Sequence, residues 1–232
     1  MKNLIIKFKK SCLKSNKDIL VKKLAIQTFG NASQRINDNL FVIKPSGVNL
    51  KKIKSNDLVI IDINSGKKIN SKLKPSSDTE THRVLYKKFP NIRGIAHAHP
   101  TFLTSWAQTG KSIPNLGTTH SDYWHKDIPI TNDLRKDEVI RNYEYNTGRS
   151  IINLLIKKKL KIENCPGVLS KYHGAFAWGK SSDDAVKNLE VMEFIAELAF
   201  YTSIIGYKKK VSKTIIDKHF FRKHGKNKYY GQ

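Results

Sequence analysis

Residues 94–100 read GIAHAHP: a short apolar run that carries two histidines one residue apart and stops at Pro100. The run has the length and composition of a strand. In a strand, side chains at i and i+2 share a face, with α-carbons roughly 6–7 Å apart. His97 and His99 then converge on one side, and two imidazoles can meet a single ion at about 2.0–2.1 Å each. Alone, the pair fits a metal half-site or two hydrogen-bonding groups at a strand end equally well. The third ligand has to come from elsewhere. His173 is the best placed, between two apolar runs and followed by Gly174, which permits close approach. His120, in TTHSDYW, competes with it. His82 falls in mid-helix, His125 in a polar loop, and His219 and His224 in a basic terminal helix. Asp78 offers an oxygen ligand, although an acid in a helix's first turn is also favoured by the helix dipole.

Working outward, residues 3–20 read as a helix. LAIQTF (24–29) reads as a strand running into GNAS, and NLFVIKPSG as a strand stopped by Pro45 and Gly47. DLVIIDINSGKKI predicts a hairpin through Asn-Ser-Gly. KPSSDTETHRVLYKKFP opens a helix, with Ser77 and Glu80 as its capping box and Pro90 as its end. PTFLTSWAQTG is a helix closed by Gly110. Residues 138–159 form a long helix broken near Gly148. PGVLSKYHGAFAWG gives two strands meeting at His173–Gly174. The run after Lys180 is the clearest helix, capped by Ser182 and stopped by Gly206. KTIIDKHFFRKHG is the last helix and KNKYYGQ a tail. The fold class expected is α/β: one domain over residues 1–232, with a central, mostly antiparallel sheet flanked by helices.

Composition excludes some classes. Of 232 residues, 39% are hydrophobic and 27% charged, ordinary for a soluble globular chain. No apolar run approaches the ~20 residues of a membrane span. The basic N-terminus has no continuous apolar core and no small-residue cleavage site, so it does not read as a signal peptide. Cys12 and Cys165 form no metal-type pair, and a reducing, cytoplasmic location is the simpler expectation. The net charge of +24 raises the question of nucleic acid. The lysines are scattered through every segment rather than gathered in a stripe, so specific nucleic-acid binding is not expected. A solvated basic surface that also attracts anionic metabolites fits better.

Two further groups carry chemistry. GNAS (30–33), KPSG (44–47) and PSSD (75–78) are short Gly/Ser loops near strand ends or helix starts, where backbone N–H groups and hydroxyls can seat a phosphate. Each alone would pass for an ordinary turn. Asp122 can accept a proton and the terminal tyrosines, Tyr229 and Tyr230, can donate one, but a loop Asp is usually a turn former and a terminal Tyr a packing anchor.

Taken in order, FGNAS, FVIKPSGV, KPSSDTETHRVLY, GIAHAHP, IPNLGTTHSDYW, PGVLSKYHGAFAWGK and DKHFFRKHGKNKYYGQ resemble the class II aldolase/epimerase family over nearly the whole chain. The likeness is to its L-ribulose-5-phosphate 4-epimerase branch and is weakest over the first twenty or so residues. It implies Zn²⁺, one per subunit, held by His97, His99 and His173 with Asp78 at or near the fourth position. It implies Asp122 and Tyr230 as paired proton-transfer groups. Gly30, Asn31, Ser46, Gly47, Ser76 and Ser77 would seat the phosphorylated pentulose, with Lys44 helping through its charge. Aldolases of the family carry Glu where this chain has Asp78, which favours the epimerase. The resemblance also implies a ring-like homotetramer in which Asp122 and Tyr230 serve a neighbour's zinc. The expected reaction is retro-aldol cleavage of C3–C4, rotation of glycolaldehyde phosphate and re-addition. An aldolase acting on another ketose phosphate is the near alternative, a nucleic-acid-binding protein the distant one.

Overall fold

The computed structural model describes residues 2–69, 71–207, 209–226 and 228–230. In chain order its elements are α1 (Lys2–Val21), β1 (Asn31–Arg35), β2 (Leu40–Ile43), β3 (Val59–Asp62), β4 (Lys68–Ile69), α2 (Thr79–Lys88), β5 (Gly94–Ala98), α3 (Thr101–Thr109), α4 (Thr118–Ser121), α5 (Lys136–Ile140), α6 (Tyr143–Lys157), β6 (Gly167–Ser170), β7 (Gly174–Gly179), α7 (Ser182–Ile205) and α8 (Lys213–His224). The strands form one sheet in the order β4-β3-β2-β1-β5-β7-β6. Every pairing between them is antiparallel. The chain thus has the single-domain α/β architecture expected, an antiparallel sheet flanked by helices.

Side-chain size decides which helix lies on which face. On β5 and β7 the residues of one parity are small: Gly94, Ala96 and Ala98 face the same way as Ala175, Ala177 and Gly179. α7 lies on this face. A Cβ at Gly94 would sit 2.1 Å from the Ser181 carbonyl carbon, and one at Gly167 would sit 2.9 Å from Met192 Sδ. The opposite parity carries His97 and Phe176, and there α2 packs, with the His82 ring edge-on to Phe176. α1 fixes β1 through an amide. Asn16 Oδ1 accepts from Ala32 N at 2.8 Å, and its Nδ2 donates to Ala32 O at 3.0 Å. Both buried backbone groups of Ala32 are satisfied in this way.

Four local expectations need correction. LAIQTF is not a strand: the chain turns there, with Lys23 and Gln27 at positive φ, and β1 is the polar NASQR that follows. Its last three side chains find tertiary partners. Ser33 Oγ bonds His82 Nδ1, Gln34 Oε1 accepts from Ser182 N, and Arg35 Nε donates to Ile92 O. The Ser77–Glu80 capping box does not form. Asp78 holds the N-cap position of α2 without a side-chain cap bond, because Glu80 is turned to Arg83 and Asp78 to Asn31. The break in 138–159 falls at Asn142 (φ 59°), between α5 and α6, and not at Gly148. Gly148 instead lets α6 close on α2, where a Cβ would meet Val84 at 2.3 Å. The cap of α7 is Ser181, whose side chain accepts from Asp184 N, and Ser182 is the first helical residue. In the tail motif KNKYYGQ, Asn227, Gly231 and Gln232 lie outside the described residues.

Candidate metal centre

The sheet gathers the singled-out loops at one end. Asn31, the first residue of β1, pairs with His97 near the end of β5. β2 runs antiparallel to β1, so Lys44 leaves the sheet at the same end. The loop that follows is bridged to the one before α2: Pro45 pairs with Pro75, Ser46 N donates to Lys74 O, and Ser76 N donates to Lys44 O. β7 begins there too, directly after His173 in the β6–β7 turn.

His97, His99 and His173 stand as a near-equilateral triangle of rings, with centroids 4.7–4.8 Å apart. One ligand nitrogen from each lies within 4.8 Å of the others. His97 Nε2 and His99 Nε2 are 2.9 Å apart, against about 3.3 Å for two nitrogens at tetrahedral zinc–imidazole distances. His97 is held from behind. Its Nδ1 lies 2.9 Å from Ala175 O, which can only accept, so the ring hydrogen is on Nδ1 and the Nε2 lone pair faces the other imidazoles. Its ring also stacks on Phe176 at 4.1 Å. His173 Nδ1 is buried with no hydrogen-bond partner among the described residues, an orphan that a cation would satisfy. Burial, reinforced by the neighbouring rings, pulls His97 and His173 down to about 3, and burial lowers His99 as well. All three are neutral at physiological pH, the form that binds a metal. The donor set fits a divalent cation.

Asp78 stands beside the triad. Its Oδ2 lies 3.9 Å from His97 Nε2 and accepts a 2.7 Å hydrogen bond from Asn31 Nδ2. Lys44 lies nearby, buried, with Nζ donating to Thr28 O; burial lowers its pKa and the Asp78 charge opposes that. Gly30 sits at φ +74°, and a Cβ there would press on His97 O at 3.1 Å. Ser46, Gly47 and Ser77 are exposed at this end, and Ser76 is buried beneath them. His120 is not part of the cluster: it is buried, with Nε2 on Lys126 O.

Asp122 and Tyr230 are linked through Arg222 on α8, and among the described residues neither contacts the triad. Asp122 follows α4 and accepts from Arg222 at 3.0 and 3.1 Å, from His219 at 3.1 Å and from Lys223 at 3.2 Å. The Arg222 guanidinium in turn lies 4.4 Å from the centre of the Tyr230 ring, and Tyr230 is half exposed. Burial pushes the Asp122 carboxyl up, but the hydrogen bonds from His219, Lys223 and Arg222 outweigh it and hold the group below its ordinary value. Asp122 is therefore a carboxylate at neutral pH, the form that accepts a proton.

Several contributors were not read from the sequence. Phe176 is the platform under His97. Glu193 on α7 accepts from Phe102 N and Leu103 N at 2.9 and 2.8 Å, fixing the start of α3 just after His99. Nothing in the local sequence marked it, since Glu190 and Glu197 lie on the same helix. Tyr143 places its ring 5.9 Å from His173. Nothing in its local sequence marked it.

Comparison with known proteins places the fold and the family. Residues 11–200 match the family model described as "Class II Aldolase and Adducin N-terminal domain". The fold is similar to that of an L-fuculose 1-phosphate aldolase, with TM-score 0.76 and 23% identity over 92% of this chain and 94% of that one. It is similar to YgbL of Escherichia coli, described as a putative aldolase/epimerase/decarboxylase, with TM-score 0.73 and 19% identity over 92% and 98%. It is also similar to a sugar-phosphate aldolase from Thermotoga maritima, with TM-score 0.67 and 17% identity over 90% and 98%.

Proposed function

The chain belongs to the class II aldolase and adducin N-terminal domain family, and on that premise we propose that it is a metal-dependent epimerase interconverting L-ribulose 5-phosphate and D-xylulose 5-phosphate. The observation that carries this reading is Asp78. It is the shorter carboxylate, set beside His97 and tied to Asn31. So held, it serves the cation and leaves proton transfer to other groups.

The chemistry needs such a division. The C4–H bond is not adjacent to the C2 carbonyl, so enolisation cannot invert C4. Breaking and remaking C3–C4 can. His97, His99 and His173, with Asp78 beside them, would hold a divalent cation, which would supply Lewis acidity toward the substrate's carbonyl oxygen. Three nitrogens and one carboxylate suit Zn²⁺, one per chain. The Gly30–Asn31, Ser46–Gly47 and Ser76–Ser77 loops, with Lys44, hold the phosphate and so retain the glycolaldehyde phosphate fragment while it turns. Asp122 and Tyr230 exchange the C4 hydroxyl proton from opposite faces, one as carboxylate and one as phenol. In a single chain their contacts run to α8 and not to the triad. That separation supports a homotetramer in which this pair completes a neighbour's centre.

A sugar-phosphate aldolase is the second reading, suggested by the names of two structural neighbours whose low identity speaks only to fold. Carbon-13 NMR separates the two. Purified, metal-loaded protein given L-ribulose 5-phosphate is expected to yield D-xylulose 5-phosphate without free aldehyde. Accumulating glycolaldehyde phosphate would establish the aldolase, and no reaction would remove this substrate.

A further inference from the structure

Arg222 touches both of the groups assigned to proton transfer. Its Nη2 donates to the two carboxylate oxygens of Asp122 at 3.0 and 3.1 Å. Its guanidinium carbon stands 4.4 Å over the centre of the Tyr230 ring. Its backbone carbonyl accepts from Tyr229 N and Tyr230 N at 3.0 and 3.1 Å, which turns the tail back onto α8. Apolar packing gives this end of the chain little hold. Among the described residues of α8, only Phe220 is buried, and Tyr230 is half exposed. Polar ties must therefore set where the tail phenol lies.

From these contacts we propose that Arg222 is a positioning residue, which holds the Asp122 carboxylate and the Tyr230 ring as one unit with the guanidinium between them. The inference rests on the reading of those two groups as the proton-transfer pair. A planar guanidinium suits the task, because its edge can serve a carboxylate while its face covers an aromatic ring. An ammonium group is a point charge without a face to offer. Lys223 shows the difference. Its Nζ lies 3.2 Å from Asp122 Oδ2 but 5.5 Å from the Tyr230 ring centre, near the limit of about 6 Å for a cation over a ring. His219 and His224 add to the grip on Asp122, at Oδ1 and at the backbone carbonyl. Arg222 is the residue that ties side chain, ring and tail backbone together.

Fluorine NMR of the full chain, with a fluorinated tyrosine in place of Tyr230, tests the coupling with no substrate present. Asp122→Asn is expected to shift the fluorine resonance in the otherwise unaltered chain. With Arg222→Lys in place, the same change at Asp122 is expected to shift it at least threefold less. An equal shift in both backgrounds, or no shift in the first, would overturn the inference. Turnover gives a second readout. A misplacement of about 1 Å can cost on the order of a hundredfold in rate. Arg222→Lys is therefore expected to lower kcat ten- to a hundredfold while KM stays within twofold, and an unchanged kcat would overturn the inference. Should Arg222→Lys fail to fold, Arg222→Met, which keeps the apolar stem, replaces it with the same expectations. If even the unaltered chain leaves L-ribulose 5-phosphate unchanged, the epimerase reading falls, and the fluorine shifts alone decide whether Arg222 couples Asp122 to Tyr230.

Discussion

Gly174→Ala is the substitution that probes the centre most sharply while leaving every ligand in place. A Cβ at this position would lie 2.7 Å from His99 Cδ2 and 2.8 Å from Ala98 O. Carbon atoms pack at about 3.5–4.0 Å, so the His99 ring has to retreat by roughly 0.8 Å or more. The carbonyl of Ala98 cannot yield in its place, because Ala98 pairs with Ala175 in the β5–β7 ladder. Metal sites tolerate ligand displacements of only about 0.2 Å. The expected result is a fall in Zn²⁺ affinity of ten- to a hundredfold, the range found when the support of a ligand is disturbed. Overpacking should also lower the stability of the metal-free chain by about 1–3 kcal/mol. Competition against a chromogenic chelator reads the affinity, and thermal unfolding in EDTA reads the stability. A folded variant that binds Zn²⁺ within twofold of the unaltered chain would refute the argument that Gly174 makes room for His99 as a ligand.

Tyr230→Phe removes a half-exposed hydroxyl while keeping the ring over Arg222, so turnover should fall at least a hundredfold with unfolding unchanged; unaltered turnover would strip the tail of its role. Ser77→Ala, at an exposed position before α2, is expected to raise KM for the phosphorylated substrate several-fold with little change in kcat; an unchanged KM would count against this loop as a phosphate seat. Asp122 has a folded pKa below its unfolded one. Its contribution to holding α8 is therefore complete above the ordinary carboxylate value near ~3.9 and is lost as pH falls through the lower, folded value. Hydrogen exchange in α8 should rise in that acid window, and in Asp122→Asn it should be fast already at neutral pH. Equal protection in the two proteins would sink the idea that this carboxylate latches the helix.

The parts legible in the sequence are those written in local pattern. The i, i+2 spacing brings the His97 and His99 rings together although β5 ends at Ala98, between them, and Gly174 marked the close approach that the structure places against the His99 ring. What could not be read depends on distant partners. NASQR has few apolar residues, yet all five are buried, with His82, Ser182 and Ile92 as partners for the side chains of Ser33, Gln34 and Arg35. LAIQTF looks like a strand, but Leu24 and Ala25 anchor the core while Ile26 and Phe29 face out. The break at Asn142 uses a left-handed conformation at a residue with no glycine to announce it. Phe176 became a platform for His97 only through the register of β5 on β7.

The central claim is that His97, His99 and His173 form the metal centre of a sugar-phosphate epimerase. The most direct test is conversion of L-ribulose 5-phosphate to D-xylulose 5-phosphate by metal-stripped protein titrated with Zn²⁺. The account predicts no turnover without metal and a linear recovery that saturates at one equivalent per chain. Full turnover in the stripped protein, or none after loading, would contradict it.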